Sequence, residues 1–358
     1  MTVAIVGIGT WLPEVVRTND AWPPRFAERA HRDGDRTFND IPPSEDLEAA
    51  AIVARDLAAE KDDPFLGARV RRVADAATTA AEAEAHAGLA ALRDAGVAPE
   101  DVDLVLSNSV VPDRIGPATA CAVSHRVGAT RAVALSMDAG CASSAVQLDI
   151  ARAYVISGLA RAVLLTQSHL LLRTMPMDHP ASPGLGDGAS AMVVAHGRGL
   201  SIRSTFALTH GDQADTVTWL RGHDDVTDLP WWKAGGDFRL GSRTPERVKR
   251  LMRDTVTYGA ETIRAAVDRG SATVTELSVI ASVQPRGFIP GAIAERLGLP
   301  RSCAVTTYED IGHLGACGPV FNLARARAGG RVRPGTLVAL YGQGAGFTRA
   351  AAILEAAE

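Results

Sequence analysis

The sequence predicts an α/β fold made of two similar halves. Three observations carry this expectation. Short apolar runs of strand length alternate with longer helical patterns along most of the chain. The two halves repeat one order of elements. A turn of small residues around Cys141 in the first half is matched by a Gly-rich turn around His313 in the second.

Taken in order, residues 3–8 read as a first strand running into a turn that Pro13 breaks. Gly7 and Gly9 invite a dinucleotide-binding reading. Leu12 holds the place of the third glycine, so that reading is set aside. Residues 44–61 read as a helix with Ser44 as N-cap and Asp46 and Glu48 in its first turn. The basic segment 67–74 reads either as a solvated surface turn or as a contact for phosphates. Residues 78–95 form an Ala-rich amphipathic helix stopped by Gly96, and 102–107 a buried strand. The helix after Gly116-Pro117 carries Cys121 and His125. Then follow a strand over 132–135, the Cys141 turn, a helix, and a strand over 162–166. A Pro- and Gly-rich loop over 176–187 leads into a strand over 191–195. Residues 205–245 read as irregular, with Trp219, Trp231 and Trp232, as a substrate-covering or dimer-contact insertion would. The second half continues with a helix over 247–269, a strand over 279–283, a helix over 289–297 and a strand over 304–307. The His313 turn, a helix over 319–328 and strands over 337–341 and 350–354 follow, the last two flanking Gly342-Gln-Gly-Ala-Gly346.

Bulk properties exclude several classes. A net charge of −4 gives no footprint for nucleic acid. The four cysteines, Cys121, Cys141, Cys303 and Cys317, form no Cys-x-x-Cys pair, which argues against a disulfide framework or a zinc site and fits a reducing cytoplasm. No metal ligand set is indicated. The first residues lack the basic and cleavage regions of a signal peptide, and no run is long and apolar enough to cross a bilayer. A cytoplasmic protein with no nucleic-acid or membrane partner is expected.

Each half runs strand, helix, strand, turn, helix, strand, which divides the chain at about residue 200 into halves 1–200 and 201–358. A pseudo-two-fold axis would bring the equivalent turns face to face, and with them Cys141 and His313. That is the pairing a Cys nucleophile and its base require. At the start of a helix, unpaired N–H groups and the dipole would lower the Cys141 thiol pKa. His313 is otherwise an incidental loop histidine, and Cys141 a small core cysteine. Cys121, Cys303 and Cys317 read as core residues, His169 and His179 as structural or surface residues, and Asp310 as a solvated loop carboxylate.

Asp138-Ala-Gly-Cys-Ala-Ser-Ser144 resembles the nucleophile motif of the thiolase-like superfamily, specifically of β-ketoacyl-ACP synthase III and its relatives. Leu12-Pro-Glu-Val-Val-Arg-Thr-Asn19, the segment 67–74, Leu172-Arg-Thr174, Gly186-Asp-Gly-Ala-Ser190 and Gly344-Ala-Gly-Phe-Thr348 resemble further family segments. The resemblance spans nearly the whole chain. It implies a thiolase fold, a five-layered α-β-α-β-α sandwich, and a homodimer. It implies that Cys141 carries the acyl group, that the N–H groups of Cys141 and Ala345 form an oxyanion hole, and that Arg173 contacts the nucleotide end of coenzyme A. No tightly bound cofactor is implied; the acyl donor would be a coenzyme A or phosphopantetheine thioester.

Two departures stand out. The family's decarboxylating His and Asn fall at Val283, beside Gln284, and at His313. Phe65 and Leu66 replace the usual residues before Gly67, which weakens a standard coenzyme A grip. Condensation needs two donors on a thioester oxygen, whereas ester or amide formation needs a nucleophile, an oxyanion hole and a base. The expected function is an acyltransferase of secondary metabolism, such as antibiotic biosynthesis. It would move an acyl group from acyl-CoA or an acyl carrier protein through Cys141 to a small-molecule hydroxyl or amine, with His313 as base and Gln284 as a pocket donor or a strand cap. A decarboxylating condensing enzyme and a non-catalytic partner subunit are the alternatives.

Overall fold

The computed structural model describes residues 2–24, 26, 38–221, 233 and 235–357. Trp231 and Trp232 lie outside the described residues. In the first half, the strands that build the main sheet are β1 (Val3–Trp11), β4 (Leu104–Ser109), β5 (Val133–Ser136), β6 (Ala162–His169) and β7 (Gly188–His196). In the second they are β8 (Leu200–Thr209), β11 (Leu277–Ser282), β12 (Ala304–Val305), β13 (Leu337–Gly344) and β14 (Thr348–Ala356). The spatial order is β5-β4-β6-β7-β1 in one half and β12-β11-β13-β14-β8 in the other, so each half follows the pattern 3-2-4-5-1. The halves meet where β1 pairs antiparallel with β8, at Ala4–Ser201 and Ile5–Leu200. Two small sheets lie outside this frame, β2 (Val15–Thr18) with β3 (Val70–Val73), and β9 (Thr218–Arg221) with β10 (Phe238–Gly241).

The helices are α1 (Leu47–Ala59), α2 (Ala80–Ala95), α3 (Thr119–Val127), α4 (Ser143–Ile156), α5 (Pro245–Arg269), α6 (Ile289–Arg296), α7 (Tyr308–Ile311) and α8 (Cys317–Ala328). Strand alternation sets the layers. Leu104, Leu106, Val163 and Leu165 point inward, where they meet Leu148 and Val155 of α4 and Val320 and Leu323 of α8. Val105 and Leu164 point outward, against α2 and α3. In the second half Ile280, Ala339 and Ile353 face outward against α1, α5 and α6. Helices therefore form both outer layers and the middle one, giving the five-layered thiolase-type sandwich. Its central strands are buried on both faces, so they read as continuous apolar runs, whereas edge strand β5 is largely exposed.

Several local expectations are corrected. Asp46, not Ser44, caps α1, accepting from Ala49 N at 3.1 Å, while Ser44 donates to Asp254. Residues 205–209 are not irregular: they complete β8, which pairs along β14. Within the basic segment 67–74, Val70–Val73 form strand β3 rather than a surface turn. Gly7 and Gly9 serve packing, since a Cβ at either would stand within 2.3 Å of an α2 carbonyl oxygen. Cys121 is exposed, not core, whereas Cys317 is buried.

Candidate active site

Equivalent strand-to-helix connections carry Cys141 and His313. Cys141 sits in a single 3-10 turn, Gly140–Ala142, that runs directly into α4. The turn is tied down by its own polar groups. Ser143 Oγ donates to the Gly140 carbonyl at 2.7 Å and accepts from Ala139 N at 2.9 Å, and Gly140 N donates to Asp138. The β13–β14 hairpin presses on it from the second half. A Cβ at Gly344 would lie 2.1 Å from Ala139 O and 2.6 Å from Cys141 N. One at Gly140, whose φ is +55°, would lie 2.8 Å from Ala345 N. The glycines thus let the Cys141 and Ala345 main chains touch. The glycine stretch is less of a turn than its composition suggests: β13 continues through Gly344, which pairs with Thr348.

His313 follows Gly312, at φ +69°. Its N–H donates to Gly184 O at 2.7 Å and its carbonyl accepts from Gly186 N at 3.2 Å. With the backbone held so, His313 Nε2 lies 3.6 Å from Cys141 Sγ. His313 is half-buried, and its Nδ1, itself shielded from water, has no hydrogen-bond partner among the described residues. Asp310 pairs with Arg325 instead.

The electrostatics correct one expectation. Burial pushes the Cys141 thiol up to about 12, with the Asp138 charge adding to the rise; the backbone N–H lowers it only in part. Helix-start donors are present, but removing the sulfur from water outweighs them. Burial also drops His313 to about 3, with His169 contributing. At neutral pH both partners are uncharged, so the pair is a thiol beside a neutral imidazole, not a thiolate–imidazolium ion pair.

Gln284 is wholly buried and fully engaged. Its Nε2 donates to Thr307 Oγ1 at 2.9 Å and Gly312 O at 3.2 Å; its Oε1 accepts from Thr306, Thr307 and Asn322. Both amide hydrogens are spent on the loop that carries His313, so they are not available to the pocket, and Gln284 instead ties that loop in place. Arg173 donates to Thr78 O at 2.9 Å and stands 3.9 Å from Asp113. The phosphate-contact reading of 67–74 fails for Arg71. That residue is buried over Trp22, and it donates to main-chain carbonyls of Ala68, Arg69 and Pro183 and to Asn19. Arg69 pairs with Glu309 at 2.6 Å, and Arg72 donates to Pro13 O.

His169 is the residue that the sequence left out of the site. Its ring stands 5.7 Å from that of His313, centroid to centroid, and it is 2% exposed. The strand expected to stop at residue 166 runs to His169. The available signal was the repeat, because β6 and β13 are equivalent strands and candidate residues stand at or just after their ends, His169 and Ala345. No group of three or more His, Cys, Asp or Glu among the described residues could hold a metal ion. No helix among them is long and apolar enough to cross a membrane.

Two five-stranded halves with a paired Cys and His on equivalent connections define a thiolase-fold enzyme. Residues 135–211 match the family model described as 3-oxoacyl-[acyl-carrier-protein] synthase III, and 267–356 match its C-terminal counterpart. The chain is 30% identical to β-ketoacyl-[acyl-carrier-protein] synthase III of Sinorhizobium medicae, over 80% of this chain and 88% of that protein. It is 28% identical to the synthase III of Bordetella petrii, over 97% and 96%. The crystal structure of the Thermus thermophilus synthase III superposes with a TM-score of 0.76 at 26% identity, covering 98% of each chain. The chain belongs to the 3-oxoacyl-ACP synthase III family.

Proposed function

We propose that the protein is an acyltransferase of secondary metabolism that loads an acyl group onto Cys141 and passes it to a hydroxyl or amine of a small molecule. The donor is an acyl-CoA or acyl carrier protein thioester. The observation that carries this reading is the 3.6 Å approach of His313 Nε2 to Cys141 Sγ, with both groups neutral. In loading, the sulfur attacks the thioester carbonyl carbon while its proton passes to His313 Nε2. The carbonyl oxygen takes up negative charge beside the N–H groups of Cys141 and Ala345, aligned by the glycine contacts. The donor C–S bond then breaks, and the leaving thiolate recovers the proton from His313.

A second reading, decarboxylating condensation, is supported by the names of the relatives. It requires two donors on the thioester oxygen of a malonyl unit. The Gln284 hydrogens are already given to Thr307 and Gly312, which favours transfer to a hydroxyl or amine. Arg173 would contact the donor's nucleotide end. The protein works as a homodimer on this reading, for which edge strand β5 offers Val133 and Leu135, 60% and 45% exposed.

The test is intact-protein mass spectrometry after mixing with a panel of acyl thioesters that includes malonyl-CoA, with Cys141→Ala as control. A mass gain lost in Cys141→Ala, with malonate retained as malonyl, supports the proposal. Conversion of the malonyl adduct to acetyl supports condensation. Absence of any adduct overturns both and leaves the partner-subunit role.

A further inference from the structure

His169 has no task in the loading step. It ends β6, in register with Gly188, and its Nδ1 lies 2.8 Å from the Gly186 carbonyl oxygen. A carbonyl only accepts, so Nδ1 carries the proton and Nε2 carries the free lone pair. Burial lowers the ring's pKa to about 4 against the pull of the Gly186 carbonyl, so the ring is neutral at pH 7. The tautomer is therefore fixed, with the basic nitrogen away from Gly186.

Gly315 sets where that nitrogen stands. A Cβ at this glycine would lie 3.5 Å from His169 Nε2 and 3.6 Å from Cys141 Sγ, so the nitrogen and the sulfur flank the same face of Gly315. The same Cβ would come within 2.7 Å of His169 Cδ2, and the residue has φ +52°. Only glycine lets the ring edge close against the sulfur's surroundings. His313 stands edge-on to the same ring, at 68°.

Acyl transfer moves two different protons. The first leaves the Cys141 thiol, at which His313 Nε2 is aimed. The second leaves the acceptor, after the sulfur has become a thioester and has no proton to give. We infer that His169 is a second general base of this site and serves the acceptor; this rests on the acyl-enzyme reading above. The acceptor oxygen or nitrogen bonds to the acyl carbon, its proton goes to His169 Nε2, and the carbonyl electron pair moves onto the oxygen. When the carbonyl re-forms, the bond to Cys141 Sγ breaks. The sulfur leaves as thiolate and recovers a proton as His169 gives up the one it took, so the enzyme returns to its starting state. The substrate class follows: an acceptor whose attacking atom bears a hydrogen, not a carbon nucleophile made by loss of CO2.

The test separates the two proton transfers with p-nitrophenyl hexanoate, water being the acceptor. The burst of p-nitrophenolate reads loading of Cys141, and the steady rate reads its discharge. His169→Asn keeps a donor for the Gly186 carbonyl but removes the Nε2 base; His169→Gln is the second variant should the first not fold. The expected result is a burst rate within about threefold of the parent and a discharge rate down by about 10²-fold, recovered in part by imidazole in the buffer. His313→Ala should instead lose the burst. Discharge at the parent rate, or burst and discharge falling together without rescue, overturns the assignment. A parent protein with no burst overturns the acyl-enzyme reading itself, and this inference with it.

Discussion

Gly344→Ala tests whether the contact between halves shapes the Cys141 turn for the proposed acyl loading. The added Cβ would fall 2.1 Å from Ala139 O and 2.6 Å from Cys141 N, both main-chain atoms that no rotamer change can move. Gly344 is not at positive φ, so the conflict is steric rather than conformational. Restoring ordinary contact requires the β13–β14 hairpin to retreat by about 1 Å, and Ala345 N moves with it. A 1 Å misplacement at a reacting centre can cost about 10²-fold in rate. Loss of one oxyanion donor costs about 10²–10³-fold. The overpacking costs about 1–3 kcal/mol in stability, which a folded protein of this size can withstand. The assay pairs thermal melting with the p-nitrophenyl hexanoate burst. The expectation is a cooperative melt at a slightly lower temperature and a burst rate at least about 10²-fold slower. A folded Gly344→Ala protein that loads within about threefold of the parent would refute the claim that Ala345 N helps hold the developing charge.

Further outcomes follow from the same geometry. Gln284→Ala strips partners from Thr306, Thr307, Gly312 and Asn322 together, so differential scanning calorimetry should show a loss of about 3 kcal/mol or more; a small loss with full rate would remove its positioning role. Because the thiol is held near 12, iodoacetamide alkylation of Cys141 should be slow at pH 7 and rise about tenfold per pH unit through pH 9; a plateau below pH 8 would contradict the neutral pair. On the proposed homodimer, Leu135→Lys on the exposed edge strand should shift sedimentation from dimer to monomer, and an unchanged sedimentation profile would count against β5 as the interface. Glu84 is fully buried and takes hydroxyl hydrogens from Ser107, Ser109, Thr166 and Ser168, so Glu84→Ala should lower the melting temperature by several degrees, with a loss of about 3 kcal/mol or more.

The repeat, the alternation of strands and helices, and the place of Cys141 and His313 on paired connections were legible in the sequence, because period, turn residues and spacing are local properties. β8 was read as irregular beyond residue 204 because Arg203, Thr205 and Thr209 lend it a polar pattern, and pairing along β14 overrides that. The thiol pKa went the wrong way because a helix start can be seen in sequence but the loss of water around Sγ cannot. The engagement of Gln284 and the burial of Arg71 depend on partners distant in sequence, such as Thr307, 23 residues from Gln284, and Pro183, 112 residues from Arg71. His169 entered the site only because Gly315, from the other half of the chain, has no side chain to hold it off. Sequence by itself determined the class of fold and the turn that carries Cys141. Tertiary structure decided which polar groups stay free to react, since that depends on what distant segments bring to them and on how much water they exclude.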